Sequence, residues 1–568
     1  MAYRQGCRLS RAEATGRSSR RPASRRPHMD AAPRAAANRA EMASSWRPRA
    51  EPPVLRARRH SVSLAALAAV LVFLGRAAYS YENIPTAFDG RDTLMRLAAR
   101  GVISVDTVIS SPLTRGHLAD ATRLARGSLS DVEATHLAAY RAYADAAYAD
   151  AVFHHSGDGF SLAFDPRLQF EAQRLADGGA ATATSVRPVA YGGGSAFRFY
   201  TQFEWGVVSN PSAYRFPPDK FPLRQRSITG DLEQLSMAQG HVAFGSGPMV
   251  VQLGKMPVRW GMGSRGSLLL SDNTDAKDGV RLLVRTGPFR FESLSADMPQ
   301  AGVEKYISAH RLSVRVHPRL VVGVHEAVVY SGALRLNYLN PFNLYLLAVP
   351  IVERQTLGED REEFPGGNTL FGGDVTWRVG AASLLYMDAV IDDYQPQEGA
   401  RSFRNWDSKF ATQIGAYTID PFGLSDASLR AEYTFVNQYA YTHEFDALRY
   451  TLAGEPLGFF TGPDADDMSL KAEKWLSPWV RVGATAAQTR KGEQDIAEPR
   501  LRGGPQRWTF LSGVEEVRRA IGLGVRVTEV TRWTADINAA YVRLTNVDHV
   551  DGAMRDGIDI VIRGSFRI

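Results

Sequence analysis

Three stretches of this 568-residue chain carry residue types at spacings that chemistry can use. Gly261-Met262-Gly263-Ser264-Arg265-Gly266 has the G-x-G-x-x-G spacing that lets backbone approach a pyrophosphate. That chemistry needs a helix N-terminus behind the glycines, and the strand-like Ser267-Leu268-Leu269-Leu270 follows instead. The nucleotide reading fails. His154-His155 is an adjacent pair, so its imidazoles do not share one metal-facing side. Pro463-Asp464-Ala465-Asp466-Asp467 has oxygens for Ca²⁺ but lacks the glycine and distal glutamate of a loop site, and it reads as a solvated acidic loop. No G-x-S-x-G elbow is present, and the 12 histidines single out no triad. The expectation is a protein that is not an enzyme, with no metal and no cofactor.

The remaining chemistry depends on what positions it. Residues 1–60 hold 15 Arg and 4 acidic residues, a charge of +11 against +7 for the whole chain, so the rest carries −4. The basic stretch is a leader, and no nucleic-acid partner is implied. Arg56, Arg58, Arg59 and His60 precede an apolar run over 62–74, and Ala77, Ala78 and Ser80 follow. That order is a secretory signal peptide cleaved near Ser80. The run falls short of the ~20 residues a spanning helix needs. Met1 and Met42 both stand open as the start, and the single cysteine, Cys7, lies in the leader. Beyond it, disulfide scaffolds and thiolate zinc sites are excluded.

From about residue 158 the apolar pattern has a period of two, which places alternate side chains on opposite faces of a strand. Ile558, Ile560, Ile562, Phe566 and Ile568 alternate with Asp559, Val561, Arg563, Ser565 and Arg567; Leu312, Val314 and Val316 oppose Arg311, Ser313 and Arg315. One apolar and one polar face along many strands is the requirement of a transmembrane β-barrel. The C-terminal strand, with Phe566 near its end, resembles the terminal signal of bacterial outer-membrane barrels. Short turns such as Thr286-Gly287-Pro288 alternate with long loops, and the length predicts roughly 16–18 strands. Trp205, Trp260, Trp475, Trp479 and Trp533 fall near strand ends, where a girdle would place them. The fold class is therefore all-β: a large antiparallel transmembrane barrel with a small N-terminal α-helical periplasmic domain. Its expected parts are a disordered leader (1–60), a signal segment (61–80), a helical domain (81–157) and an outer-membrane barrel (158–568).

Within 81–157, Leu94, Leu97 and Ala98 have helical spacing, and Ser130-Asp131-Val132-Glu133 is a capping box opening a second helix. Residues 101–125, with Leu113-Thr114-Arg115 starting a helix, resemble a surface-layer-homology motif. The family pattern continues Ala-Glu where this chain has Gly116-His117. The resemblance implies contact with peptidoglycan; the alternative is a helical bundle docked at the barrel's periplasmic mouth.

Three barrel segments resemble the Wzi family of capsule-assembly proteins: KMPVRWGMGSRGSLLLSDN at 255–273, NYLNPFNLYLL at 337–347 and GGNTLFGGDVTWRV at 366–379. The resemblance implies an outer-membrane lectin with a closed lumen that holds or organises surface polysaccharide. Sugars are gripped by aromatic faces and by charged or amide side chains. Motif positions of those types are Arg259, Trp260, Arg265, Asn273, Asn368, Asp374 and Trp377. The expected partners are surface polysaccharide and outer-membrane lipid. The alternative is a porin tethered to peptidoglycan by 81–157. Occlusion of the lumen, by 81–158 or by loops such as the apolar run 344–352, decides between them.

Overall fold

The computed structural model describes residues 82–84, 90–125, 127–145, 151–176, 179–210, 237–246, 248–300, 302–345, 367–392, 409–499, 510–529 and 532–568. All of them belong to one compact unit, Ala68–Ile568. The leader, the signal segment and residues 346–352 lie outside the described residues.

Twenty-two strand segments close into one antiparallel barrel. Prolines and a buried acid break three long staves once each: Phe160–Phe164 with Arg167–Arg174 at Pro166, Ala180–Arg187 with Val189–Gly193 at Pro188, and Arg198–Phe203 with Trp205–Val208 at Glu204. Phe153–Gly157 pairs with Phe160–Phe164 in line with the C-terminal strand rather than adding to the circumference. Joining the three broken staves and setting Phe153–Gly157 aside leaves eighteen staves in the ring. Closure comes from Met554–Arg567, whose residues Ile560 to Arg567 pair with Arg174 to Arg167.

The alternation in the sequence becomes two chemically opposite faces. Outward, Ile558, Ile560, Ile562 and Phe566 are bare. Inward, Asp559 meets Arg518 at 3.0 Å, Arg563 meets Glu171 at 3.2 Å, and Arg567 pairs with Asp165. Apolar side chains outside and paired charges inside invert the pattern of a soluble protein, as a membrane barrel demands. One end of the ring carries tight turns at 287–288, 318–319 and 478–479, and the other carries long loops at 257–276 and 437–464.

The lumen is filled from both ends. Helices α1 (Arg91–Arg100), α2 (Arg115–Arg123) and α3 (Asp131–Asp145) sit inside the short-turn end. Leu94, Leu97, Leu118, Leu137 and Tyr140 form one core with the inward wall residues Val321, Leu384, Tyr386 and Ile419. Gly101, at φ 77°, ends α1 in the left-handed conformation that glycine adopts without strain. The capping box closes: Glu133 N donates to Ser130 Oγ at 3.3 Å, and Ser130 N donates to Glu133 Oε2 at 3.1 Å. From the long-loop end, Leu268, Leu269 and Leu270 turn inward with Trp260, Tyr441, Tyr450 and Phe459 onto the wall residues Leu294, Ile307, Val329 and Leu370. The two fillings join where Ser110–Ser111 pairs with Arg259–Trp260, and where Arg91 donates to Gly261 O at 2.8 Å.

Two expected girdle residues are luminal. Trp260 is buried, and Trp475 faces inward with its ring 4.6 Å from that of His136, because a filled lumen offers aromatics a second apolar environment. Trp205, Trp479 and Trp533 do lie on the outer face or in a turn at its edge. The described start of the run 344–352 also departs from expectation: it runs outside the barrel, where Tyr345 stacks on the outward His310 at 4.4 Å and Leu344 is exposed.

Arg96 fastens the helices. Its guanidinium, 3% exposed, meets Glu133 at 2.7 Å, Asp420 at 2.6 Å and Asp426 at 3.6 Å, so α1, α3 and the turn after Lys409–Ile419 share one cation. Removing one member of such a buried set costs about 3 kcal/mol. The expected outcome is more frequent and larger channel openings for Arg96→Met than for the parent chain in planar bilayers; equal currents would show that the helices do not close the lumen. Acid has a related effect. Burial alone would raise the Asp420 pKa, but hydrogen bonds from Arg96 and Arg100 hold it below the usual carboxylate range. Its contribution is then complete above the ordinary aspartate pKa of about 4 and is lost as pH falls through the depressed value. Channel closure should be unchanged between pH 7 and pH 5 and weaken below about pH 4, and conductance recorded across that range tests it.

Candidate functional site

Four of the seven motif residues lie on the inward loop 257–276. Arg259, buried, braces it: Nε donates to Ser267 Oγ at 3.1 Å, Nη1 meets Asp272 at 2.6 Å, and Nη2 donates to Gly263 O. Trp260 donates from Nε1 to Glu292 Oε2 at 3.1 Å and packs beside the three leucines. Asn273 donates to Pro456 O, joining this loop to 437–464. Gly263 explains the glycine spacing, since a Cβ there would stand 2.2 Å from Gly266 O. The turn is tight because the loop doubles back inside a ring, not because a phosphate sits on it.

Arg265 is different. Its side chain is 31% exposed; Nε donates to Asp467 at 2.7 Å and Nη2 at 3.1 Å, and the guanidinium lies 5.1 Å from the Phe460 ring centre. Asp467 in turn accepts from Thr489 Oγ1 at 2.6 Å. With Nε and Nη2 committed to Asp467, this partly exposed cation above an aromatic face has Nη1 left to donate to a hydroxyl or a carboxylate.

The other three motif residues are dispersed. Asn368, at the head of Asn368–Val379, donates to Leu448 O at 3.0 Å and so holds the 437–464 loop to the wall. Asp374 is buried and takes both amino groups of Arg311, at 2.6 and 2.8 Å, lower on the inner wall. Trp377 faces the opposite way, half exposed on the outer face near the short-turn end. The structure therefore brings Arg259, Trp260, Arg265 and Asn273 together and leaves Asp374 and Trp377 apart.

The rim at the long-loop end also holds residues that sequence reasoning missed. His443 and Phe445 have ring centres 5.8 Å apart, with Phe445 40% exposed. Beside them Arg449 meets Asp446 at 2.6 Å, and Gln300 donates to Asp446 at 2.9 Å. The only signal was composition: 443–450 places aromatics and charges in a loop without glycine. Beneath the rim, Tyr441 and Tyr450 donate to Leu268 O and Leu269 O at 2.7 and 2.9 Å. Burial pushes both hydroxyls up in pKa, so they remain protonated donors. The acidic stretch 463–467 is not the solvated loop expected: Asp464, Asp466 and Asp467 are buried, Asp464 accepts from Ser512 and Gln494 of the neighbouring loops, and Asp466, already on the strand Ala465–Ser477, pairs across to Arg490 at 2.6 Å. Among the described residues no group of three acidic, His or Cys side chains is arranged to hold a metal.

Losing a buried donor such as Asn368 Nδ2 costs roughly 1–3 kcal/mol. With Asn368→Ala, trypsin cleavage after Arg449 should accelerate about tenfold, because that rate follows the population of the opened loop. Unchanged digestion would show that the loop is held elsewhere.

Residues 138–557 match the family model of the capsule assembly protein Wzi. Wzi of Escherichia coli, described as an outer membrane protein involved in group 1 capsule assembly and as a carbohydrate binding β-barrel, has a solved structure with a TM-score of 0.58 at 15% identity. The match covers 86% of this chain and 100% of that one. OprD of Pseudomonas aeruginosa, also an outer membrane protein, matches at 11% identity and a TM-score of 0.42, over 74% of this chain and 97% of its own. No curated protein matches the chain. The family model spans most of the sequence, and the chain belongs to the Wzi capsule assembly family.

Proposed function

We propose that this chain binds surface polysaccharide at its long-loop end and holds it against the cell without catalysis. The chain is a barrel of the bacterial outer membrane. In our reading the short-turn end faces the periplasm and the long loops face outward, as in outer-membrane barrels generally. The observation that carries the proposal is the filled lumen: helices from one end and loops from the other meet at Ser110–Ser111 and Arg259–Trp260. Polar contact is thereby moved from the bore to the rim, where Phe460 and Phe445 offer aromatic faces beside the partly exposed cations Arg265 and Arg449. The glycan binding described for Escherichia coli Wzi agrees with this reading.

The same observation weighs against a porin. It also weighs against peptidoglycan contact through the surface-layer-homology-like segment. Arg115 is only 4% exposed, meets Glu82 at 3.1 Å and lies 4.4 Å from the Tyr143 ring centre, so it belongs to the plug.

The test is calorimetric titration of the reconstituted barrel with an acidic capsular polysaccharide, alongside a neutral one as control. Binding should weaken with added salt, and Arg265→Ala with Phe460→Ala should lower affinity about tenfold, or about 1.4 kcal/mol. No binding by the parent chain, together with steady conductance, would make the protein a channel.

A further inference from the structure

The outer wall contains one sector that breaks the rule for a lipid-facing surface. Pairing register places Ser293, Ser295, Ser308, His310 and Glu326 outward, on the strands Phe289–Asp297, Lys305–His317 and Leu320–Ser331. Lower on the same strands the outward positions are bare and apolar, as at Leu312, Val316 and Val324. A histidine and a glutamate facing acyl chains would be costly. They do not face them, because His310 is 6% and Glu326 8% exposed.

What covers them is the chain that follows Leu320–Ser331. Residues 334–345 fold back over the outside of the wall. Tyr338 and Tyr345, both 0% exposed, pack on the outward Val328 and Tyr330. Tyr345 Oη lies 2.6 Å from His310 Nε2 and donates to Tyr338 O at 2.9 Å. Phe342 stacks on Phe291, whose strand begins only two residues earlier beside the 287–288 turn, so the flap reaches well along the wall. Its other side is apolar and bare: Leu334, Leu336, Phe342 and Leu344 are 52, 70, 85 and 59% exposed.

We infer that 334–345 is a membrane-embedded flap, which seals a polar window in the barrel wall and offers Leu336, Phe342 and Leu344 to the acyl chains in its place. The occupant of the bare side is lipid because the flap lies on the outward face of a transmembrane wall, continuous with the lipid-facing Leu312 and Val324. Irregular backbone tolerates such a setting only when its polar groups are satisfied. Here the asparagines help to satisfy them: Asn340 Oδ1 accepts from Phe342 N at 3.1 Å, and Asn343 Nδ2 donates to Asn337 O at 3.0 Å. Tyr338 N donates to Arg335 O at 3.1 Å and Asn343 N to Asn340 O at 3.1 Å. The repeated Asn in 337–343 is then a way of closing backbone hydrogen bonds where water is scarce.

The test uses the fact that Cys7 is the chain's single cysteine. With Cys7→Ser in place, one cysteine at Phe342 carries a nitroxide in the full barrel reconstituted into bilayers. Ile562, on the bare wall, and Asp551, on an exposed loop, are the references. Collision rates with dissolved oxygen, which concentrates in lipid, are compared with those of a charged nickel chelate, which stays in water. Phe342→Cys should match Ile562→Cys, with oxygen collisions exceeding chelate collisions severalfold. A ratio like that of Asp551→Cys would place the flap in water and overturn the inference.

Discussion

The seam between Ile560–Arg567 and Arg167–Arg174 is the constraint on which the rest depends. A membrane offers the backbone no water, so a sheet crossing it must end by pairing with itself. The chain meets this demand with its last strand, and Ile568 N adds one more bond to Pro166 O at 3.0 Å. Closing the ring fixes which side of every stave faces lipid. Charges such as Glu171, Arg563, Asp165 and Arg567 then have only the lumen to occupy, and each finds an opposite charge there. The same closure creates the interior that the helices and loops fill. The placement of these charges makes sense only once this inside exists.

Filling that interior needs few devices. Arg96 gathers Glu133, Asp420 and Asp426, and Asp92 meets both Arg481 at 3.0 Å and Lys471 at 3.5 Å, so the amphipathic helices are tied to the wall by charge as well as by apolar contact. At the opposite end the ties are amides and phenols, Asn273, Asn368, Tyr441 and Tyr450, aimed at carbonyls of the loops. Much of the family-like pattern in 255–273 and 366–379 thus builds the rim from below. Among the seven motif residues, Arg265 joins positive charge to a partly open position at that end.

The period-two segments disclosed the barrel because their two faces meet unlike media. Ile558, Ile560 and Ile562 against Asp559 and Arg563 needed no partner to be interpreted. Side chains whose surroundings come from distant chain were not legible in that way. Trp260 and Leu268–Leu270 look locally like strand ends and strands, yet they are luminal because 257–276 turns inward onto Leu294 and Leu370. His310 and Glu326 look like polar-face residues, yet register turns them outward beneath a flap that follows later in the chain. Periodicity reports a medium, and it misreports wherever another stretch of the same protein stands in for that medium.

The small sheet formed by Ser110–Ser111 and Arg259–Trp260 has a consequence for the order of assembly. Each half supplies the other's hydrogen-bond edge, and Gly261 N donates to Ile109 O at 2.8 Å beside it. Each filling docks on its own stretch of wall, but neither has its inner edge satisfied while the other is missing. The edge of the segment made first is completed by chain made about 150 residues later.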